Sequence, residues 1–262
     1  MRALNTAATG MMAQELNVQV ISNNIANMRT TGYKRQRAEF QDLLYEHVNR
    51  VGTQTSSQGT ILPAGIELGS GVKTVGTPRL FTQGDLTQTG NNYDLAIRGE
   101  GFFKIQLPDG RTAYTRDGSF ELDSQGRLVT AQGDVVQPGI TIPATATSVS
   151  INSQGEVSVT LPGSTAQNKV GQLALSNFIN KAGLESMGDN LYLETPASGT
   201  PQDGTPASDG FGNLQQGYLE QANVQAVSEI SDLISAQRAY EMNAKVITAA
   251  DQMLSATANL SR

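Results

Sequence analysis

The two ends of this chain carry the same hydrophobic period, and neither end can bury its stripe alone. Near the N-terminus, apolar residues recur at three- and four-residue steps through Leu4, Ala7, Met11, Val18, Ile21, Ile25 and Met28, with Gln14 as an interruption. Near the C-terminus the series is Ile230, Leu233, Tyr240, Ala244, Ile247, Leu254 and Ala258, interrupted by Gln237 and Asp251. Alternating steps of three and four are the seam of a helix that packs lengthwise against a partner. Helix nucleation is costly, and packing supplies most of a helix's stability. The two ends are therefore expected to meet, although about two hundred residues separate them. The expected fold is mixed α and β: N- and C-terminal helices pair as a coiled coil, and an antiparallel β domain is inserted between them through extended linkers. A chain of this layout is built like the subunit of a helical polymer.

The N-terminal helix is expected over residues 3–28. Its only charged side chains are Glu15 and, at its edge, Arg2. A helix on a domain surface normally shows a charged outer face, so this one is expected to be covered by other protein. Gly10 either costs roughly 1 kcal/mol relative to Ala or marks a close helix contact. Gly32 suits the left-handed position after a helix end, and Phe40 to Tyr45 reads as a second short helix. Residues 49–71 are irregular, with Ile61, Leu62, Ile66 and Leu68 available to dock the segment on a neighbour. From 72 to 136, short β-prone runs alternate with turn signals such as Asp109-Gly110 and Asp117-Gly118, which indicates tight antiparallel hairpins. Val149–Ile151, Val157–Val159 and Val170–Leu175 extend the β region. Residues 196–213 form a second irregular stretch, and Asn223 is a suitable N-cap for the last helix. The resulting domains are 1–44 with 215–262 for helical polymerisation, a 45–75 linker, a 76–195 β domain and a 196–214 return linker.

The last helix has a second apolar stripe, Ala239, Met242, Val246 and Met253. One partner helix covers one side, so contact on several sides within an assembly is expected. The assembly residues proposed from the seams are Leu4, Met11, Val18, Ile21 and Ile25 with Ile230, Leu233, Tyr240, Ala244, Ile247 and Leu254. Both ends are expected to be largely disordered before assembly and to fold on polymerising.

Chemistry is hard to place. The formal net charge is −6 and the pI about 4.9, which argues against nucleic acid because phosphate binding needs a basic surface. With no Cys and one His, His47, thiolate metal sites are excluded and a Ser-His-Asp relay would rest on one side chain. Gly69-Ser70-Gly71-Val72-Lys73-Thr74 lacks phosphate-loop spacing, and Gly99-Glu100-Gly101 lacks the third glycine of a dinucleotide fingerprint. Both read as turns. A glycan hydrolase would need paired carboxylates and aromatic platforms, and the chain has no Trp. No catalytic, cofactor or metal residue is proposed. Asp94, Arg98, Arg116, Asp117 and Glu121 read as a solvated sheet face or as contacts between subunits. No cleavable signal and no transmembrane run are evident.

Three motifs carry a family resemblance. Residues 22–35, SNNIANMRTTGYKR, resemble the N-terminal signature of the flagellar axial proteins, the rod and hook subunits. Leu95 to Phe103 and Tyr114 to Phe120 resemble their β-domain motif. Gly217 to Val224 and Ala236 to Asn243 resemble their C-terminal signature, with Gln221-Ala222 departing from the Ser that commonly precedes the Asn. The length, the opening Met1-Arg2-Ala3-Leu4 and the stretch from Asp42 to Ile66 look most like the distal rod members. The resemblance implies a non-enzymatic, self-assembling subunit of the bacterial flagellar basal body, in the periplasm-spanning rod, with no cofactor. It implies unfolded export by the flagellar export apparatus and contacts with proximal rod proteins, hook protein and the P and L ring proteins. It further implies a rod-stiffening segment from Tyr45 through Ser56, Ser57, Leu62 and Pro63. A proximal rod or hook subunit is the alternative within the family, and a basal-body glycan hydrolase the alternative outside it.

Overall fold

The computed structural model describes residues 2–49, 64–163 and 166–260. It is mixed α and β: two long terminal helices and, between them in sequence, an antiparallel β domain. The chain divides into two compact units. One comprises residues 1–25, 36–78 and 225–262, the other residues 26–35 and 79–224.

The first unit holds both helices. Helix α1 spans Arg2–Ala26 and helix α2 spans Ala226–Leu260. They touch and run antiparallel: Gly10 lies against Asn243, and Asn24 is bonded to Glu229. The remaining elements of this unit are strands β1 (Glu39–Asp42), β2 (Tyr45–Asn49), β3 (Ile66–Gly69) and β4 (Val72–Gly76). β1 pairs with β4 and β2 with β3, each antiparallel. The expected short helix over Phe40–Tyr45 is therefore extended chain. Glu39 to Asp42 instead finds a backbone partner in Val72 to Gly76, and Tyr45 begins the strand paired with β3. Part of the expected irregular 49–71 stretch is likewise strand, at Ile66–Gly69. Ile61 and Leu62, proposed as docking residues, lie outside the described residues.

The second unit is all antiparallel β. Its largest sheet runs Glu185–Gly188, Leu191–Leu193, Thr112–Thr115, Phe102–Gln106, Val135–Val136, Leu128–Val129, Glu121–Leu122, with Leu175–Asn177 joining beside Phe102 and Gln202–Gly204 beside that. A three-stranded sheet joins Ser148–Ile151, Glu156–Thr160 and Gln167–Gln172. Two strand pairs, Leu95–Arg98 with Asn213–Gln216 and Leu86–Gln88 with Tyr218–Glu220, bring the far end of the unit's sequence back to its start. The stretch expected as an irregular return linker thus supplies strands at Gln202–Gly204 and from Asn213.

Adjacent residues of a strand face opposite ways. Phe102 enters an aromatic cluster with Tyr114, Phe178 and Tyr192, whereas Phe103 enters the main core with Leu95, Ile97, Ile105 and Leu175. Each buried phenylalanine side chain contributes about 1.5–3 kcal/mol. Tyr114 and Phe178 meet edge to face at 4.8 Å and 87°, Phe103 and Phe120 at 5.0 Å and 86°, the arrangement ring quadrupoles favour.

Of the two Asp-Gly turns, Asp109-Gly110 makes the expected hairpin between Phe102–Gln106 and Thr112–Thr115. Asp117-Gly118 does not. A Cβ on Gly118 would lie 1.6 Å from the Leu95 carbonyl oxygen, so this glycine serves close backbone packing. Gly32 is left-handed, at φ +68°, but six residues past the end of α1. A Cβ there would meet the Asp117 nitrogen at 2.7 Å.

Candidate functional site

On α2 the most buried positions are Glu229, Ala236 and Ala250, with Asn243 half-buried. They repeat every seven residues, the period of a helix seam. Along α1 the buried positions are Ala7, Ala13, Val20, Ile21 and Asn24. Of the assembly residues read from sequence, Ile21 is buried. Leu4, Met11, Val18, Ile25, Leu233, Ala244 and Ile247 are half-buried, and Ile230, Tyr240 and Leu254 are exposed. The close face of α2 thus lies about one residue to the N-terminal side of the apolar series, on small and polar residues that a hydrophobicity pattern does not register. Val18 and Tyr240 instead line an open groove of about 590 Å³ with Glu15, Gln19, Gln237 and Glu241.

The outward side of α2 carries exposed apolar side chains among polar ones such as Arg238 and Lys245. Val227 is 84% exposed, Met242 61% and Met253 64%, with Ile234 and Val246 also exposed. In this unit every residue of β2 and β3 is exposed, and Leu44 is 88% exposed. A two-stranded ribbon alone is marginal in water. Tyr45 lays its ring over Gly69, whose added Cβ would sit 3.3 Å from the ring. The hydrogen bond from its hydroxyl to the Asp42 carboxylate holds the phenol above its usual pKa. His47 is an exposed strand residue whose Nδ1 is 3.1 Å from a Glu67 carboxylate oxygen. Of the proposed stiffening residues only Tyr45 is described; Ser56, Ser57, Leu62 and Pro63 lie outside the described residues.

The second unit contains a buried charge cluster. The Lys34 ammonium donates to Glu220 Oε1 at 2.6 Å and to the Thr82 carbonyl at 2.8 Å. Arg116 donates to Glu220 Oε2 at 3.3 Å and to the Gly99 carbonyl at 2.7 Å, its guanidinium 5.5 Å from the Phe102 ring centroid. The Gly84 amide also donates to Glu220. Burial pushes the Lys34 ammonium below the usual lysine range, Glu220 opposing, and pushes Arg116 down likewise. A carboxylate bonded by two cations and an amide satisfies what burial would otherwise leave unmet. Arg116 is therefore neither on a solvated sheet face nor at a subunit contact, and Asp94, buried and bonded by Thr89 and Asn91, is also internal.

Asn223 does not cap α2. Its side-chain oxygen accepts from the Arg35 amide at 2.8 Å, and its amide donates to the Leu80 and Thr82 carbonyls. The helix begins three residues later.

Three family models match the chain: the flagella basal body rod protein over residues 4–34, the flagellar hook protein FlgE/F/G D1 domain over 96–159, and the flagellar basal body rod FlgEFG protein C-terminal over 215–260. The flagellar basal-body rod protein FlgG of Caulobacter vibrioides is 57% identical over 260 residues, 99% of each chain. FlgG of Buchnera aphidicola from Schizaphis graminum is 51% identical over 246 residues, 94% of each chain. The FlgF of the same Caulobacter is 37% identical over 264 residues, 99% of this chain and 95% of that one. The chain belongs to the FlgG family of flagellar basal-body rod proteins.

Each of the three matched segments contributes one member of the buried cluster: Lys34 from the first, Arg116 from the second, Glu220 from the third. What the motifs share in space is thus an internal tie within the β unit. Sequence reading missed it because a lone Lys, Arg or Glu ordinarily signals solvent. Among the described residues no group of three or more His, Asp or Glu is placed to hold a metal, and no helix is long and apolar enough to cross a membrane.

Proposed function

We propose that the chain is the structural subunit of the flagellar distal rod, self-assembling into a hollow, rigid shaft that transmits torque from motor to hook. The observation that carries this is the exposed apolar face of α2, from Val227 and Ile234 through Met242 and Val246 to Met253. Large apolar side chains left exposed repeatedly along one helix point to an interaction site. In the rod, α1 and α2 pair as a coiled coil, and neighbouring copies cover the outward face of α2. The uncovered β2–β3 ribbon, from Tyr45 into the segment reaching Pro63, braces adjacent copies and keeps the shaft straight. The helices with their ribbon form the polymerising part of the chain. Its partners are further copies of itself, the proximal rod and hook proteins, the P and L ring proteins and the export apparatus. Its role is mechanical, with no reaction catalysed. Electron microscopy of the purified, polymerised protein is the test: straight hollow tubes are expected, and curved filaments or soluble monomers at every concentration would overturn the reading.

A further inference from the structure

We propose that the antiparallel helix pair is held in one register by two locks, Gly10 against Asn243 and Asn24 against Glu229. The inference rests on the reading that α1 and α2 pair in the assembled subunit. The locks are fourteen residues apart on each helix, from 10 to 24 and from 229 to 243, which is two heptads and about 21 Å of helix. Equal spacing on both partners means that both locks close in the same register.

The first lock is steric. The whole Asn243 amide sits over Gly10: a Cβ built on that glycine would lie 2.9 Å from Nδ2, 3.3 Å from Cγ and 3.4 Å from Oδ1. Gly10 therefore gives up helix propensity, roughly 1 kcal/mol against Ala, to admit a polar side chain. The second lock is polar. Asn24, buried, donates to Glu229 Oε2 at 3.1 Å and to the Gln36 carbonyl at 2.9 Å, and accepts from the Gln36 amide at 2.9 Å. Glu229 is fully buried, and a buried carboxylate is costly wherever it lacks a donor. A single buried polar pair is the best-attested way a helix pair specifies alignment.

Neither lock suffices alone. A one-heptad slip that sets Ala7 opposite Ala239 would place Asn17 opposite Glu229, supplying another amide, so the polar layer does not forbid it. That slip also sets Asn243 opposite Ala3, where a methyl occupies the space Gly10 leaves free. The opposite slip sets Glu229 opposite residue 31, beyond the end of α1. Gly10, Asn24, Glu229 and Asn243 are positioning residues: they select the alignment rather than drive association.

The chain has no cysteine, so introduced pairs report the register in full-length, assembled protein. Ala7 and Val246 line one groove and belong to the observed register; Ala7 and Ala239 belong to the slipped one. Within-chain disulfides are separated from between-chain ones by mobility on a denaturing gel. With the locks intact, the Ala7→Cys/Val246→Cys pair should cross-link and the Ala7→Cys/Ala239→Cys pair should not. In an Asn24→Ala/Asn243→Ala background the second pair should gain about tenfold or more over the first, the worth of one buried hydrogen bond to a charge. Gly10→Val should abolish the first cross-link, and Asn243→Ala in the same chain should restore it. This second arm decides the matter if the double variant does not assemble. An in-register cross-link unchanged by Gly10→Val, or an Asn24→Ala/Asn243→Ala chain that stays in register, would overturn the locks while leaving helix pairing intact. Absence of both cross-links with the locks intact would overturn the pairing itself, and the locks with it.

Discussion

Glu220 shows how one residue can decide the stability of a β unit. Its carboxylate is fully buried and bonded by Lys34, Arg116 and the Gly84 amide. Glu220→Gln would leave two buried cations facing an uncharged amide, and breaking a buried ionic contact from one side costs about 3–5 kcal/mol. Urea denaturation followed by the signal of the β unit should show a loss of that size. Gly32→Ala should destabilise as well, since the φ of +68° is strained for alanine and the added methyl meets backbone, which cannot rotate away. Tyr114 predicts a pH dependence. Burial, with Glu194 and Asp203 adding to it, pushes its phenol up to about 12 from the usual 10. The native state therefore keeps a proton that the unfolded chain releases between these values. The stabilisation is complete below pH 10 and is lost as pH rises towards 12. Unfolding measured at pH 9 and pH 11.5 should reveal this fall, and Tyr114→Phe should flatten it.

Among the elements, α2 separates contacts made within the chain from those left for another copy. Its half-buried and buried positions include Glu229, Leu233, Ala236, Ala239, Asn243, Ala244, Ile247 and Ala250, while Met242 and Met253 are exposed. Met242→Asp should leave the stability of the monomer within about 0.5 kcal/mol, as exposed substitutions usually do. It should nevertheless prevent polymerisation, because a carboxylate would be buried without a partner at a contact between copies. Sedimentation of the variant beside the parent protein distinguishes the two effects; normal polymers of Met242→Asp would remove α2's outward face from the assembly. The ribbon of β2 and β3 obeys the same logic. Its residues are exposed throughout, so it has little to gain from the fold of one chain.

For the whole molecule, assembly and folding are expected to be coupled. Helix α1 bears almost no charge and α2 leaves Val227, Ile234, Met242, Val246 and Met253 exposed, so both depend on burial that one chain supplies only in part. Far-ultraviolet circular dichroism at low concentration should give less helix than the 25 and 35 residues of α1 and α2, with the deficit recovered on polymerisation. Full helicity in the monomer would refute coupled folding. Removing residues 45–63 should yield curved rather than straight rods; straight ones would detach that segment from stiffness.

The sequence alone determined the layout. Heptad steps at both ends demanded two helices that meet, and turn signals every few residues demanded an antiparallel β insert, because those patterns are set by local geometry. The class of protein was legible for the same reason that motifs are legible: runs such as Ser22 to Arg35 are contiguous. What only the tertiary structure decided were the pairings between residues far apart in sequence. Phe40 to Asp42 became strand because Val72 to Gly76 offered it backbone partners, and Tyr45 because Gly69 did. Asn223 became a tie to Arg35, Leu80 and Thr82 instead of a helix cap. Lys34, Arg116 and Glu220 went inside because each neutralises another. The close face of α2 moved by about one residue because Gly10 admits Asn243 and Asn24 meets Glu229. A periodicity records how greasy a face is, but the alignment of two faces depends on which small and polar residues come opposite each other, and that is fixed only when the chain is folded.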